Sequence, residues 1–410
     1  RVDKSAFKFS DLQPITIHFD GLMDKRAVDA NREYSMDLWF ARPGDIVVAK
    51  IDLKNGAVGI VPKDWTNAVV TGHFAVYEPD RSKLIPEYLL RIIQSEFFKA
   101  HLFRNKVGAE GRKEVKLDFF ESENIPLPSL AEQKSIAAQW RMAQDEIKAV
   151  RERVEKRKAA IDVRFFADLG LTSPEQLSVP KAFAVLWRDF PRWGVRFNQL
   201  SIGGADITHG KYPVVELDSV LELVQYGTSE KANSTGDGVP VLRIGNIKDR
   251  ALDLSKLKYI TLPKKTRDAL LLRHGDVLII RTSGSRDLVG SCAVFHGEGD
   301  FIFASYLIRL RFNAGKTIPE FVSWFINSPL GRQQVDAVSR QIMQNNINSE
   351  ELRGLQIPLP PLAVQDKIME RVAEGRAEIA REQESAERLS KEINAEVEAL
   401  ILGSKTLGEQ

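Results

Sequence analysis

The stretch Ile125–Ile136 reads IPLPSLAEQKSI, and the stretch Ile357–Ile368 reads IPLPPLAVQDKI. Eight of the twelve letters are identical, and the two copies lie 232 residues apart. Each proline restricts φ and cannot donate a backbone hydrogen bond, so the chain stays extended where it leaves the preceding structure. We therefore interpret the phrase as a stiff elbow that leads into a helix and that is used twice.

Four further echoes occur at nearly the same separation, so the repeat extends along the whole chain. Their offsets lie between 230 and 233 residues. They pair GDIVVAKI from Gly44 with GDVLIIRT from Gly275, Val58-Gly59 with Val289-Gly290, IPEYLLRIIQS from Ile85 with IPEFVSWFINS from Ile318 and, more weakly, LQPITIH from Leu12 with LRIGNIK from Leu242. Self-similarity at so long a period indicates two tandem copies of one domain rather than a solenoid of short repeats.

A long amphipathic helix is predicted after each proline phrase. Between Ala131 and Asp168 there is no proline or glycine, and apolar residues recur at steps of four and three, with Arg157 as an interruption. The first seam is Ile136, Trp140, Ala143, Ile147, Val150, Val154 and Ile161, and the second is Ile368, Val372, Ile379, Ala386, Leu389, Ile393 and Leu400. Gly375 and Glu382 are weak points of the second seam.

The charges of the two helices favour pairing between them. The first segment carries nine basic and seven acidic residues, and the segment from Pro361 to Leu400 carries six basic and ten acidic residues. Two copies related by a pseudo-twofold axis would pack these helices antiparallel. The alternative is that each helix lies separately on the surface of its own domain.

The two elbows differ in how the helix begins. Ser129 can cap the first helix, with Glu132 three residues later as in a capping box. Pro361 and Val364 occupy the corresponding positions of the second copy. We therefore expect the two elbows to differ in stiffness.

Composition excludes several classes of protein. With 410 residues and 43% hydrophobic content, the chain can form two or three domains with real cores. No run of eighteen apolar residues predicts a membrane span, and the single cysteine, Cys292, fits a reducing cytosol. Because the net charge is only +2, any nucleic-acid-binding surface must be local.

Catalytic motifs are sparse. The sequence contains no phosphate-binding loop, no dinucleotide fingerprint, no Asn-Pro-Pro-Tyr stretch and no pair of His or Cys residues at zinc spacing. Pro79-Asp80 followed by Glu114 and Lys116 loosely fits a magnesium-dependent nuclease pattern. A nuclease therefore stays open as an alternative, although so short a pattern arises easily by chance.

The paired phrases and the segment YGTSEKANSTGDGVPVLRIGNIKD from Tyr226 resemble the specificity subunit of type I restriction-modification systems. The phrases are similar to the family's entry into its two linking helices, and the segment is similar to the front of a target recognition domain. The resemblance implies that each of two such domains reads half of a bipartite site in double-stranded DNA. It also implies that the helices act as a spacer and dock two methyltransferase subunits, with a restriction and translocation subunit completing the complex.

The resemblance further implies that this chain is non-catalytic, cytoplasmic and without a cofactor of its own. S-adenosylmethionine is expected in the methyltransferase partner, which modifies adenine N6, and ATP and magnesium are expected in the nuclease partner. Two competing interpretations stay open beside it: a specificity subunit or fragment of a type IIB or IIG enzyme, and a coiled-coil scaffold with no role in DNA binding.

The predicted fold is mixed α/β, with two related target recognition domains in tandem joined by two long antiparallel helices. About forty residues precede Leu242 in the second copy but only eleven precede Leu12, so we expect the first domain to be incomplete at its N-terminus. The predicted segments are 1–130 for the first recognition domain, 131–168 for the first linking helix, 169–200 for a connector, 201–360 for the second recognition domain and 361–403 for the second linking helix.

Candidate DNA contacts come from basic and amide-rich segments at matching places in the two copies. Lysine and arginine can bind phosphates, arginine can read guanine, and asparagine and glutamine can read adenine. In the first copy the candidates are Lys50, Lys54, Arg104, Lys106, Arg112, Lys113 and Lys116. In the second copy they are Tyr226, Thr228, Arg281, Thr282, Ser283, Ser285, Arg286, Arg340, Gln341, Gln344, Asn345 and Asn346.

Overall fold

The chain is mixed α/β, as predicted, and divides into two compact units. The computed structural model describes residues 1–3, 5–19, 21–26, 36–104, 115–172, 184, 207–341 and 345–405, with only the backbone at 340, 341 and 345. The first unit comprises residues 1–153 and 381–410, and the second comprises residues 154–380. Each unit therefore combines one α/β domain with part of each long helix.

The helices occur at the same places in both copies. They are α1 (Pro86–Gln94), α2 (Glu96–Arg104), α3 (Leu117–Ser122), α4 (Leu130–Leu169), α5 (Lys264–Leu270), α6 (Pro319–Asn327), α7 (Pro329–Val338), α8 (Ser349–Arg353) and α9 (Leu362–Ile401). Each of the helices α1 to α4 in the first copy has a counterpart 232 or 233 residues later, whereas α5 of the second copy has no counterpart among the described residues. Proline occupies the first turn of α1, α6 and α7, where its missing N–H has no intrahelical partner to lose.

The described strands of the first unit form two small sheets. Its strands are β1 (Gln13–Ile17), β2 (Met23–Lys25), β3 (Leu38–Phe40), β4 (Ile46–Ala49), β5 (Val58–Ile60), β6 (Ala68–Thr71) and β7 (Phe74–Tyr77). One sheet has the order β2-β1-β6-β3, with β1 and β6 parallel, and the other has the antiparallel order β5-β4-β7. Its largest core cluster packs β4 and β5 against α1 and α2, and it includes the fully buried Tyr88 and Ile92.

The second unit repeats this plan with additional strands. They are β8 (Val214–Glu216), β9 (Leu221–Tyr226), β10 (Val239–Leu242), β11 (Ile247–Lys248), β12 (Ala251–Leu252), β13 (Lys258–Ile260), β14 (Val277–Ile280), β15 (Thr282–Ser283), β16 (Cys292–Val294), β17 (Ile302–Phe303), β18 (Leu307–Phe312), β19 (Arg340–Gln341), β20 (Asn345–Asn346) and β21 (Gln356–Pro358). The sheet orders are β16-β14-β18-β9, β13-β10-β17, β15-β20-β19, β11-β12 and β21-β8.

Strand pairing confirms the duplication read from the sequence. In the first unit β4 lies between β5 and β7, and in the second unit β14 lies between β16 and β18, all antiparallel. The parallel pair β1 and β6 likewise corresponds to β10 and β17. At the repeat offset, β9 has no counterpart among the described residues.

The residues of the predicted helix seams are buried or partly buried, and the helices pair antiparallel in each unit. In the first unit Trp140 Nε1 donates to Asn394 Oδ1 at 3.3 Å. In the second unit Arg157 contacts Glu378 at 2.7 Å, and Arg371 contacts Asp168 at 2.7 Å. In both, residues early in one helix meet residues late in the other, which confirms the predicted antiparallel arrangement.

Gly375, a weak point of the seam by hydrophobicity, permits a close approach of the two helices. A Cβ atom at this position would lie 2.9 Å from Cδ1 of Ile161 on α4. A side chain at this position would therefore require the Ile161 side chain to shift. Within the described residues, no helix combines the length and apolarity that crossing a bilayer requires.

Candidate nucleic-acid interface

A fully buried glutamine fastens the first elbow to its domain. Gln133, in the first turn of α4, has 0% exposure. Its Oε1 accepts from the backbone N–H of Ile85 at 2.8 Å, and its Nε2 donates to the carbonyl oxygens of Lys83 and Pro128, each at 2.9 Å. The predicted capping box is also present, since the N–H of Ser129 donates to Glu132 at 2.9 Å and that of Glu132 donates to Ser129 Oγ at 3.3 Å.

Gln365 performs the same task in the second unit, and it too is fully buried. Its Oε1 accepts from the N–H of Ile318 and the hydroxyl of Thr317, each at 2.9 Å. Its Nε2 donates to the carbonyl oxygens of Pro360 at 2.8 Å and Lys316 at 3.3 Å. Sequence reasoning assigned the stiffness of the elbow to its prolines and missed this side chain, although it is one of the eight letters that both copies share.

Two of the predicted DNA-contacting segments meet in the sheet β15-β20-β19 of the second unit. Thr282 of β15 pairs with Asn346 of β20, and Ser283 pairs with residue 345. Strand β19 adds residues 340 and 341 on the other side of β20. Segments more than fifty residues apart in the sequence therefore lie side by side in one sheet.

Arg281 lies between β14 and β15, at the centre of this region. Its N–H donates to the carbonyl of Tyr306, and its carbonyl accepts from the N–H of Ile347, both at 2.9 Å. The guanidinium carbon lies 4.9 Å from the ring centre of Tyr226, and Nη1 donates to the carbonyl of Ser305 at 3.4 Å. The backbone N–H of Ser349 donates to the Tyr226 hydroxyl at 3.0 Å.

We use the name Arg281 surface for Tyr226, Thr228, Arg281, Thr282, Ser305, Tyr306 and Asn346. Thr228 belongs to it because its carbonyl accepts from the N–H of Ser305 at 2.7 Å. Tyr306 has 54% exposure and was missed by sequence reasoning, although an aromatic residue between two strands in the phrase FASYLIRL was a detectable signal. Gly227 is required here, because a Cβ atom would lie 2.3 Å from the carbonyl oxygen of Phe303.

Three other predicted residues lie at the end of β15 or on the loop that follows it. Ser283 is buried and its Oγ accepts from the N–H of Ser285 at 3.1 Å, while the side chain of Ser285 is exposed. Arg286 donates through Nη2 to the carbonyl of Asp336 at 3.4 Å, and its Nε lies 3.8 Å from the Asp336 carboxylate. The contacts of Arg286 hold the loop against α7. A role of the three residues in DNA binding stays a prediction.

In the first unit the described candidates lie on loops and helix ends. Lys50 Nζ donates to the carbonyl of Gly72 at 2.8 Å, and Lys54 Nζ donates to that of Ile51 at 2.7 Å. Arg104 is exposed at the end of α2, and Lys116 is exposed just before α3. The structure gathers Lys54 and Arg104 around one concavity that is also lined by Phe19, Lys99 and Phe103.

Seven of the predicted contact residues have no described side chain. Lys106, Arg112, Lys113 and Gln344 lie outside the described residues. For Arg340, Gln341 and Asn345 the described backbone places them in β19 and β20. They stay predictions.

The nuclease alternative gains no support from the described residues. The Asp80 carboxylate accepts from the N–H of Ser82 at 3.1 Å and from its hydroxyl at 2.6 Å, and these hydrogen bonds lower the pKa of Asp80. Glu114 lies outside the described residues. In the described ranges, no group of three or more His, Cys, Asp or Glu side chains is arranged to hold a metal ion.

The second of the two related α/β units brings the half-buried Arg281 and Asn346 into one region with the exposed Tyr226 and Tyr306, a combination that is typical of nucleic-acid-binding proteins. The sequence profile described as the type I restriction modification DNA specificity domain matches residues 33–139 and 210–390, more than half of the chain. The chain therefore belongs to this family. The assignment made from its sequence is confirmed.

Similar proteins include specificity subunits from enteric bacteria. The type I restriction enzyme StySPI specificity subunit of Salmonella potsdam is 26% identical over 336 residues, 80% of this chain and 67% of that protein. The EcoKI specificity subunit of Escherichia coli K12 is 25% identical over 285 residues, 68% of this chain and 57% of that protein. The chain thus spans between about half and two thirds of the length of these relatives.

A solved structure has the same fold. It comes from work on complex assembly and conformational transition of the type I R-M system, and it matches with a TM-score of 0.55 at 19% identity. The match covers 95% of this chain and 91% of the other. At this level of identity the likeness concerns the fold.

Proposed function

We propose that this chain is the non-catalytic DNA-reading subunit of a type I restriction-modification complex, with each unit contacting one half of a bipartite target. The observation that carries the proposal is the Arg281 surface, where a half-buried arginine, two exposed tyrosines and a half-buried asparagine lie on strands and on the turns between them. Such a surface offers directional donors and acceptors to base edges in the major groove. Membership of the specificity family supports the same function.

The partners follow from the same proposal. Two methyltransferase subunits dock on the long helices, and a restriction and translocation subunit completes the complex in the cytoplasm. S-adenosylmethionine then belongs to the methyltransferase, and ATP and magnesium belong to the nuclease. Support comes from the many charged side chains that α4 and α9 leave exposed outside their shared seam.

Sequence-specific binding is the direct test. With its methyltransferase partner, the chain should bind a duplex carrying the bipartite site at least about 1,000-fold more tightly than a random duplex at physiological salt. The site would be identified by sequencing the methylated bases of cells that express the complex, and affinity would be measured by fluorescence anisotropy. A duplex with one half-site scrambled is the matched control. Equal affinity for all three duplexes would contradict the proposal.

The helices are also proposed to set the gap between the two half-sites. Each has 40 residues, which at roughly 1.5 Å per residue gives a length of about 60 Å. Half-sites one helical turn apart on DNA are separated by roughly 34–36 Å. The helices are therefore long enough to separate two readers by one to one and a half turns.

Lengthening both helices should lengthen the gap. One heptad would be inserted after Arg153 in α4 and another after Ala380 in α9, where the chain passes from one unit to the other. Seven residues add about 10 Å, and the preferred gap should grow by about three base pairs at roughly 3.4 Å each. Anisotropy with a series of gap lengths measures this change. A heptad in α4 alone is the control for disrupted pairing, and an unchanged gap in the double insertion would refute the spacer role.

A further inference from the structure

We propose that Arg281 determines the sequence specificity of the second unit by reading a guanine in the major groove. The proposal rests on the proposed function and adds that one residue, Arg281, recognises one base, a guanine. Arginine reads guanine through two hydrogen bonds to O6 and N7, which requires a guanidinium held in a fixed orientation. The contacts of Arg281 provide such an orientation.

The backbone of Arg281 is fixed on both sides. Its N–H and carbonyl are each hydrogen-bonded at 2.9 Å, to Tyr306 and Ile347 respectively. The residue before it, Ile280, ends a fully buried strand, and the residue after it begins β15. The Cα of Arg281 therefore belongs to the rigid sheet and not to the loop that follows.

The side chain has two contacts of its own that restrict its orientation. Tyr226 covers the guanidinium at 4.9 Å, and the Ser305 carbonyl accepts from Nη1 at 3.4 Å. Nε is enclosed and has no hydrogen-bond partner in the described part of the chain, so it offers nothing to a ligand. One N–H of Nη1 and both N–H groups of Nη2 are left, and they form the end of the fork that can meet O6 and N7 together.

Tyr226 acts as a positioning residue for Arg281. Its ring lies against the guanidinium group, and its hydroxyl accepts a hydrogen bond from the backbone N–H of Ser349 at 3.0 Å. A stacked arginine loses less conformational freedom on binding than a solvated one. A phosphate contact would need only charge and would not require this arrangement.

The test compares base preference in the wild-type complex and in variants of the full chain with its methyltransferase partner. Arg281→Lys keeps the charge but removes the fork, so preference for guanine at one position of one half-site should fall about 5- to 150-fold. Tyr226→Ala should weaken the preference for guanine at the same position. Tyr226→Phe, which keeps the ring, should change this preference far less. Arg267→Ala, which removes a charge paired with Asp268 on α5, is the matched control.

Binding to a randomised duplex library at several salt concentrations separates the outcomes. Relaxed preference at one guanine, with unchanged preference elsewhere, supports the inference. Uniform weakening for all sequences, with the salt dependence reduced by about one charge, would identify a phosphate contact and overturn it. An unchanged preference in Arg281→Lys also overturns it and leaves the proposed function standing. A wild-type complex without any sequence preference would instead refute the proposed function itself.

Discussion

Replacing Gln365 with leucine is expected to destabilise the second unit by about 3 kcal/mol, because several buried polar groups lose their partner at once. The N–H of Ile318, the hydroxyl of Thr317 and the carbonyl oxygens of Pro360 and Lys316 all bond to this one amide. Leucine has a similar size, so the loss is one of hydrogen bonding rather than of packing. Urea unfolding, followed by hydrogen exchange resolved along the chain, would measure the change.

Two further substitutions provide a comparison and a control for this experiment. Gln133→Leu should place a comparable loss in the first unit, because Gln133 makes the corresponding contacts with Ile85 and Pro128. Gln383→Leu, at an exposed position of the same helix α9, should change stability by no more than about 0.5 kcal/mol. If Gln365→Leu is no less stable than Gln383→Leu, the glutamine does not fasten the elbow.

Replacing Asp276 with alanine is expected to cost about 3–5 kcal/mol, because it leaves two arginines without their counter-ion in the interior. The carboxylate has 1% exposure, and Arg309 has 3%. Arg311 contacts both carboxylate oxygens at 2.7 Å, and Arg309 lies 3.5 Å from one of them. Burial lowers the pKa of Arg309, and the nearby Asp276 carboxylate acts in the opposite direction.

The repeat provides the matched control for Asp276. Asp45 occupies the corresponding place in the first unit and accepts from the backbone N–H of Arg42 at 2.7 Å, as Asp276 accepts from that of Arg273 at 2.8 Å. No described arginine side chain pairs with Asp45, so Asp45→Ala should cost only about 1 kcal/mol. Adding Arg309→Met to Asp276→Ala should recover part of the loss, since it removes one of the unpaired charges. Equal effects of the two alanine substitutions in urea unfolding would contradict this account.

The buried thiol of Cys292 in the second unit also has a structural role. Cys292 lies in the core, where burial raises the pKa of its thiol to about 11. Its backbone N–H and carbonyl both bond to the side chain of Asn327, at 3.1 and 2.8 Å. The thiol therefore stays protonated at neutral pH, as expected for a core residue and not for a nucleophile.

The sequence named five of the seven residues of the Arg281 surface as candidates, but it did not predict the contacts of their side chains. It selected the stretches that carry Arg281 and Asn346, because polar letters recur there at matching offsets. It could not show that Arg286 contacts α7 or that Tyr306 is exposed. Those outcomes depend on which face of a short strand or turn meets the core, and strands of two residues carry too little periodicity to reveal it.

By itself, the sequence determined the duplication, the two long helices, their buried seams and the cap at Ser129. These features arise from local periodicity and from repetition, and both patterns can be recognised in a single sequence. Only the tertiary structure decided that Gln133 and Gln365 fasten the elbows, that Asp276 holds two arginines and that Tyr226 supports Arg281. Each of these contacts joins residues about 30 or more positions apart, and the choice of partner depends on how the sheets and helices pack.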